Sequence, residues 1–581
     1  MASVAVLGGG IGGLSAAHEL AKRGFDVTVY EARKELGGKA RSMPVPNTGM
    51  DGRADLPGEH GFRFFPGFYR HLDATMEEIP YASGCVKDNL TQATEMLLAQ
   101  SHGSSNEILA PLKFPSSPGD VVKMIRFFRM IAFDLAIPLA EYAAFVERVL
   151  AFLTSCDERR LAEFERQSWW DFLDADHRSA QFQKFLAKGM TRSLVAARAE
   201  EMSARTGAAI LTQLVQDQAQ VDGKVDRVLD GPTSEVWIDP WVRYLATPPA
   251  EQPWRAAVTF RCGHPVTAIQ CDGRDITGVT VEGIPGTVTA DYYVAAVPVE
   301  KLVRLLTTQL RAAEPRLGYL HRLTTRWMTG AMYYFDVPLT AFPPGHAIYI
   351  DSEWALTSIA QGQFWRDFPL ADRGDGRVRD VLSVDISDWD TCSKRLGKPA
   401  RQCTEEEILD EVWEQLLDHL DHGELEEKHL LSRFLDPAID FRDPGKLAND
   451  EPLLINTKRS WRYRPDATTR IPNFFLASDF VRGNTDLATM EGANEAARNA
   501  VNGILAKEGR PATDRCPTFR LVEPALLRPL RYVDEVLWRS GRRRPKRPAF
   551  ATDASGRVEG TNPLSWFVAR GLRAVDAVLP G

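Results

Sequence analysis

The sequence predicts an α/β fold: a parallel sheet built on an N-terminal βαβ unit, with an α+β domain interleaved into it. Three observations predict this. A short apolar strand at the N-terminus runs straight into a glycine-rich turn and a helix pattern. Apolar strands suited to the same buried sheet recur near residues 258, 294 and 475. The stretches between them carry helix periodicity and alternating strands of their own, too long to be loops. Composition agrees. The 581 residues are 44% hydrophobic and 25% charged, enough to bury a large core. A net charge of -8 argues against a nucleic-acid binder. Seven scattered cysteines without CxxC spacing suit a reducing compartment and exclude a zinc ribbon. No signal-peptide pattern is visible, and Met130 to Leu153 carries too many charges to span a membrane.

The elements follow in order. Ser3 to Leu7 reads as a buried parallel strand ending at glycine. Gly8, Gly10 and Gly13 fit GxGxxG, with Gly9, Ile11 and Gly12 between them. Leu14 to Lys22 reads as a helix, Asp26 to Tyr30 as a second strand, and Glu31 stands at its end. Each part has a physical task in a Rossmann-type unit. Gly8 allows the turn, Gly10 a close backbone approach to a pyrophosphate, and Gly13 tight helix–strand packing. The helix N-terminus offers free N–H groups to phosphate. Glu31 can accept from both ribose hydroxyls. The flanking elements give the motif its weight, since 43 glycines make a bare GxGxxG common by chance.

Three further segments decide which nucleotide. Ala32 to Ser42 contains Gly37, Gly38, Lys39 and Arg41; Gly58-Glu59-His60-Gly61-Phe62-Arg63-Phe64-Phe65-Pro66-Gly67 follows. Downstream, Ile471 to Asp479 reads as a strand ending in a carboxylate, and a helix pattern starts near Thr489 with Met490 and Ala493. Together these resemble the flavin-containing amine oxidase and phytoene desaturase superfamily, nearest its carotenoid desaturase and hydroxysqualene dehydroxylase-like branch. Ser478 stands where that family has glycine. The resemblance implies non-covalent FAD. It assigns Gly37, Gly38, Lys39 and Arg41 to the pyrophosphate side, Gly58, Glu59 and His60 to the flavin lining, and Val266 to the adenine. It assigns Asp479 to the ribityl or phosphate region, and Ala32, Thr489, Met490 and Ala493 to the same cofactor site. No metal site is expected.

The domain reading is then discontinuous. Residues 1–75, 225–310 and 450–510 form the FAD-binding domain, 76–224 and 311–449 the substrate domain, and 511–581 a C-terminal extension. In the substrate half, Asp120 to Phe133 and Ala140 to Leu153 are amphipathic, Trp327 to Phe335 and Val381 to Ile386 read as strands, and Glu405 to Leu420 as a helix capped by Thr404 and Glu407. His419, His422 and His429 lie near Asp418, Asp421 and Glu426 and read as a solvated face rather than a metal site. The extension holds a basic run, Arg542 to Arg547, and an amphipathic pattern, Leu564, Phe567, Val568, Leu572, Val575 and Val578. Such a pair reads as a packed tail or as a dock on an anionic membrane.

The resemblance implies an FAD-dependent oxidoreductase that moves hydride from a C–H bond to flavin N5. The desaturase-like segments favour a hydrophobic, isoprenoid or carotenoid-like substrate, an acceptor such as oxygen or a quinone, and a cytoplasmic protein at the inner membrane surface. The alternatives are an amine or amino-acid oxidase and a non-catalytic flavoprotein. The catalytic base is not assigned; His60, Glu59, Trp461 and Tyr463 are the candidate catalytic residues. For an amine oxidase, Trp461 and Tyr463 would form an aromatic cage; otherwise they are core.

Overall fold

The computed structural model describes the chain except residues 102–107, 112–136, 190–196, 219–225, 249–255, 366, 421–424, 444–445, 543–549, 553–557, 561–565, 567–569 and 571–581. The expected Asp120–Phe133 helix, His422, the run from Arg543 to Arg547 and the apolar pattern from Leu564 to Val578 lie outside the described residues.

Five strands make one wholly parallel sheet: β1 (Ser3–Leu7), β2 (Asp26–Glu31), β3 (Val258–Cys262), β4 (Tyr292–Ala295) and β5 (Phe474–Leu476), in the order β3-β2-β1-β4-β5. Central β1 is apolar along its length because a parallel strand is covered on both faces. Two helices matter most to the site. α1 (Ile11–Ala21) follows β1, and α2 (Met490–Lys507) follows β5 and packs along α1. The periodicity predicts α1 from Leu14, but it starts at Ile11. Gly12 and Gly13 lie inside the helix because only a bare backbone fits there: a Cβ on Gly12 would stand 1.9 Å from the Ala477 carbonyl oxygen, and one on Gly13 1.9 Å from that of Gly8.

The second sheet has seven strands, in the order 430–435, 329–335, 380–386, 356–360, 346–349, 95–99 and 108–111. All its neighbours are antiparallel except 346–349 with 95–99. Alternation along Thr329–Phe335 feeds two cores. Tyr333 and Phe335 pack under the helix Glu405–Leu417 with Ile408, Val412 and Leu416, and Met332 and Tyr334 face Val45, Leu56 and Phe434. The helix has the expected capping box, Thr404 with Glu407, but ends at Leu417 rather than Leu420. His419 is therefore not on a solvated face. It is buried, with Nδ1 2.6 Å from the Gln415 carbonyl and Nε2 3.1 Å from Asp351. The expected strands at 266–269 and 278–281 pair as an antiparallel ribbon, Val266–Cys271 with Ile276–Val281. Helices between 139 and 218 enclose a third core around Trp169 and Phe172. Among the described residues, no helix is long and apolar enough to cross a membrane.

Candidate active site

The nucleotide end is built from bare backbone. Gly8 takes φ +109°, and a Cβ there would meet the Ala296 carbonyl at 2.8 Å. The Gly9 carbonyl accepts from Gly37 N–H at 2.9 Å, so the two glycine segments lie edge to edge. Gly38, at φ +62°, would put a Cβ 2.9 Å from Gly10 Cα. Glu31 closes the end of β2. Its carboxylate accepts from Gly9 N–H at 2.6 Å and Arg33 N–H at 2.9 Å, which fixes it while leaving lone pairs for hydroxyls. Its carbonyl accepts from His264 N–H at 2.8 Å, bringing the loop before Val266 beside it. Ala32, next along, is exposed.

Two helix N-termini converge on this cradle. α1 begins at Gly10 with no capping side chain and no acid in its first turn, so its first N–H groups and dipole are left for an anion. The phosphates of a dinucleotide fit there. α2 starts behind Thr489, whose hydroxyl accepts from Gly492 N–H at 3.3 Å, with Met490 as its first residue. The Ala493 carbonyl lies 3.7 Å from a Cβ placed on Gly12, so the helices meet at their starts. Asp479 follows β5 here; the Ser478 hydroxyl donates to it at 3.2 Å. Lys39 and Arg41 follow the glycine doublet. Lys39 donates to the Pro452 carbonyl, and Arg41 to Gly38 O at 2.5 Å and Glu451 at 2.9 Å. Both are bonded within the protein beside the glycine doublet.

Segment 58–69 bridges the two sheets. It crosses the second sheet on glycines: a Cβ on Gly58 would stand 2.6 Å from the Phe434 ring, and one on Gly61 2.6 Å from Asp385. Glu59 N–H points at Met332 Sδ, 3.1 Å away, and Tyr334 donates to Pro57 O at 2.8 Å. At its far end Tyr69 hydrogen-bonds Thr489. Arg63 donates to the Lys39 carbonyl at 2.7 Å, so the segment runs from beside the glycine doublet to the start of α2.

The four candidate catalytic residues separate here. Glu59 is buried and saturated. It accepts from the Ser42 hydroxyl at 2.8 Å, Thr233 N–H at 2.9 Å, the Thr233 hydroxyl at 3.0 Å, and Arg63. It is a clamp between segments, not a free base. His60 differs. Its Nδ1 pairs with buried Asp436 and lies 3.6 Å from Glu451, while Nε2 is buried with no hydrogen-bond partner among the described residues. His60, Asp436 and Glu451 bring their ligand-type atoms within 4.8 Å of one another. Arg41 and Arg33, each 2.9 Å from Glu451, already balance that charge, so the cluster reads as an ion-pair network rather than a cation cage. Burial raises the Glu451 carboxyl, but His60, Arg41 and Arg33 outweigh it and leave its pKa low. Asp385 nearby is driven well above the usual carboxylate range by burial.

Trp461 and Tyr463 do not form a cage. The Arg205 guanidinium covers the Trp461 ring at 4.2 Å, and Arg482 and Arg464 lie at 5.4 and 5.6 Å. Tyr463 points away, against Tyr319 and Arg322 at the surface. The Trp461 neighbourhood is a buried ion cluster that periodicity does not reveal. Asp486 binds Arg205 at 2.8 Å and Arg464 at 2.9 Å, and Glu165, which accepts Trp461 N–H, is raised by burial and by Asp486. A second pair missed by sequence reasoning is His346 with Asp226, both buried, under the rings of Phe62 and Phe64 at 4.9 and 5.7 Å. Asp436, Glu451, Asp226 and Arg205 sit in no motif, so nothing in the sequence flagged them.

The family model of flavin containing amine oxidoreductases matches residues 11–505. The chain belongs to that family. It is a flavin-dependent oxidoreductase, and two carotene desaturases match most of its length. A zeta-carotene desaturase of Synechocystis sp. is 26% identical over 543 residues, 88% of this chain and 98% of that protein. A 15-cis-phytoene desaturase of Synechococcus elongatus is 22% identical, over 87% and 96%. Among solved structures, cyclohexylamine oxidase from Brevibacterium oxydans matches with a TM-score of 0.55 and 14% identity, covering 87% of this chain and 99% of that one. At that identity the likeness establishes the fold alone.

Proposed function

We propose that the chain binds FAD non-covalently and removes hydride from a C–H bond of a hydrophobic, isoprenoid or carotenoid-like substrate. The electrons then pass to an acceptor such as oxygen or a quinone. The observation that carries this over amine oxidation is the placement of Trp461 and Tyr463, which leaves that pair unable to hold an amine. The desaturase relatives over nearly the whole chain support the same substrate class.

Glu31 would hold the ribose hydroxyls, and the first N–H groups of α1 would hold the phosphates. Val266 would border the adenine side, Asp479 the ribityl or phosphate region, and Thr489 and Met490 the ring side. Bound there, FAD supplies the hydride acceptor. The protein supplies orientation, an apolar wall that includes Phe62 and Phe64, and a place for the second hydrogen, which leaves as a proton. His60 is the candidate acceptor because Asp436 fixes its Nδ1 side and leaves Nε2 unengaged. Arg41 and Glu59 act as positioning residues that hold segment 58–63 against the glycine doublet.

The test is anaerobic bleaching of the flavin absorbance with polyisoprenoid lipids and with amines in parallel. Bleaching by the lipids supports the reading. Bleaching by amines alone would overturn it, and an inert flavin would favour a non-catalytic flavoprotein.

A further inference from the structure

The wall beneath Phe62 and Phe64 is not apolar throughout. Directly opposed residues of antiparallel strands point to one face of a sheet. The pairings His346–Ile359, Ile359–Ser383 and Ser383–Met332 therefore set four side chains in one row across the second sheet. Met332 identifies the face, because its Sδ lies 3.1 Å from Glu59 N–H. The row looks toward segment 58–64. Asp385, two residues beyond Ser383 on the same strand, shares this face and stands against Gly61. A hydrocarbon chain needs no polar partner. Yet His346, Ser383 and Asp385 are only 6%, 0% and 4% exposed, and His346 Nε2, Ser383 Oγ and Asp385 Oδ1 have no hydrogen-bond partner among the described residues. Buried polar atoms are ordinarily bonded, so three of them on one face call for a polar ligand group or water.

His346 is the most firmly held of the three. Its Nδ1 pairs with Asp226, itself buried. Asp226 is fixed in turn: its carbonyl accepts from Ala93 N–H at 3.0 Å, and Arg227, next along, donates to the Phe65 carbonyl at 3.0 Å and to Asp73 at 2.8 Å. A carboxylate on Nδ1 keeps the ring proton there, so Nε2 presents a lone pair to a donor. The rings of Phe62 and Phe64 close over the imidazole at 4.9 and 5.7 Å. Phe62 and Ile359, its two neighbours, also line a recess of about 20 Å³ with Arg63, Thr233 and Gln361. That is room for one hydroxyl or one water and too little for a hydrocarbon chain. A charged head has no counterpart here, because the nearby acids are already matched: Asp226 by His346, Asp436 by His60 and Glu59 by Arg63.

We propose that the substrate is an isoprenoid alcohol rather than a pure hydrocarbon, and that its hydroxyl donates to His346 Nε2. The proposal rests on the isoprenoid reading above and adds the head group. His346 is then a specificity-determining residue, separate from His60, which serves the proton that leaves with the hydride. A site built to bond a hydroxyl discriminates strongly against the analogue that lacks it, because the buried nitrogen is then left unpaired.

The flavin-loaded full-length protein is titrated anaerobically, in one detergent, with phytanol, phytane and phytanylamine, which share a chain and differ in the head. Binding is read from the flavin difference spectrum and from the rise in melting temperature. Phytanol is expected to bind about tenfold or more tightly than phytane. His346→Phe should bring phytanol down to the affinity of phytane and leave phytane as in the parent, whereas His346→Gln, which keeps a polar end, should retain part of the preference. Should His346→Phe prove unstable because it strands the Asp226 charge, the double variant His346→Phe, Asp226→Asn takes its place. Equal binding of phytanol and phytane would overturn the proposal and leave water as the partner of Nε2. So would tighter binding of the amine, or a preference for phytanol that survives loss of the imidazole. Equal binding with flavin still bleached by isoprenoids would remove this proposal alone; binding of none of the three would remove the isoprenoid reading with it.

Discussion

Replacing Gly12 by alanine tests the cradle at its tightest point. Its new Cβ would stand 1.9 Å from the Ala477 carbonyl oxygen, whereas real Cβ contacts are not found below 3.0 Å, so α1 and the end of β5 must part by about 1.1 Å. Overpacking of this kind costs about 1–3 kcal/mol, and here it falls on the first turn of the helix that would hold the phosphates. If half of that cost falls on the cofactor complex, FAD binds roughly two- to twelvefold weaker, since about 1.4 kcal/mol is a factor of ten. The assay is titration of apoprotein with FAD, followed by flavin fluorescence, with thermal melting alongside. Gly318→Ala is the control, because nothing lies within 4 Å of its added Cβ. A Gly12→Ala variant that keeps both parental FAD affinity and melting temperature would refute the reasoning.

Other outcomes follow from the same geometry. Glu59→Ala strands the Ser42 and Thr233 hydroxyls and the Arg63 guanidinium, and should cost about 3–5 kcal/mol by urea unfolding. His60→Gln should keep flavin content but lower the rate of flavin reduction and flatten its dependence on pH; an unchanged pH profile would remove His60 from the reaction. Asp217 and Asp230 are both pushed up to about 6 by burial. Their folded-state values exceed the unfolded ones, so the stability they contribute is full below about pH 4 and is lost as pH rises through 6. The Asp217→Asn, Asp230→Asn double variant should flatten the melting temperature between those limits.

The sequence legibility of this molecule divides by the range of the interaction. The nucleotide unit was legible because its signals are local: a strand, glycines at fixed spacing and an acid at the next strand end. The start of α1 was misplaced because Gly12 and Gly13, read locally, look like a turn; their reason is Ala477, hundreds of residues away. The segment from Gly58 to Gly67 was legible as a motif, but not its division of labour. Glu59 and His60 look alike as candidates until Thr233, Asp436 and Glu451 arrive from distant parts of the chain. Trp461 read as a cage wall or as core, and is neither, because Arg205 covers it. Long-range ion pairs leave no periodicity, so the buried charge of the site was the least readable part.

The most direct test is cofactor selection by the purified apoprotein, titrated in parallel with FAD, FMN and NAD. In the proposed site Glu31 and the start of α1 would serve the adenylate half, and the start of α2 the ring. The account therefore predicts one FAD bound per chain, with weaker FMN and no competition from NAD. Equal affinity for FMN, or displacement of FAD by NAD, would contradict it.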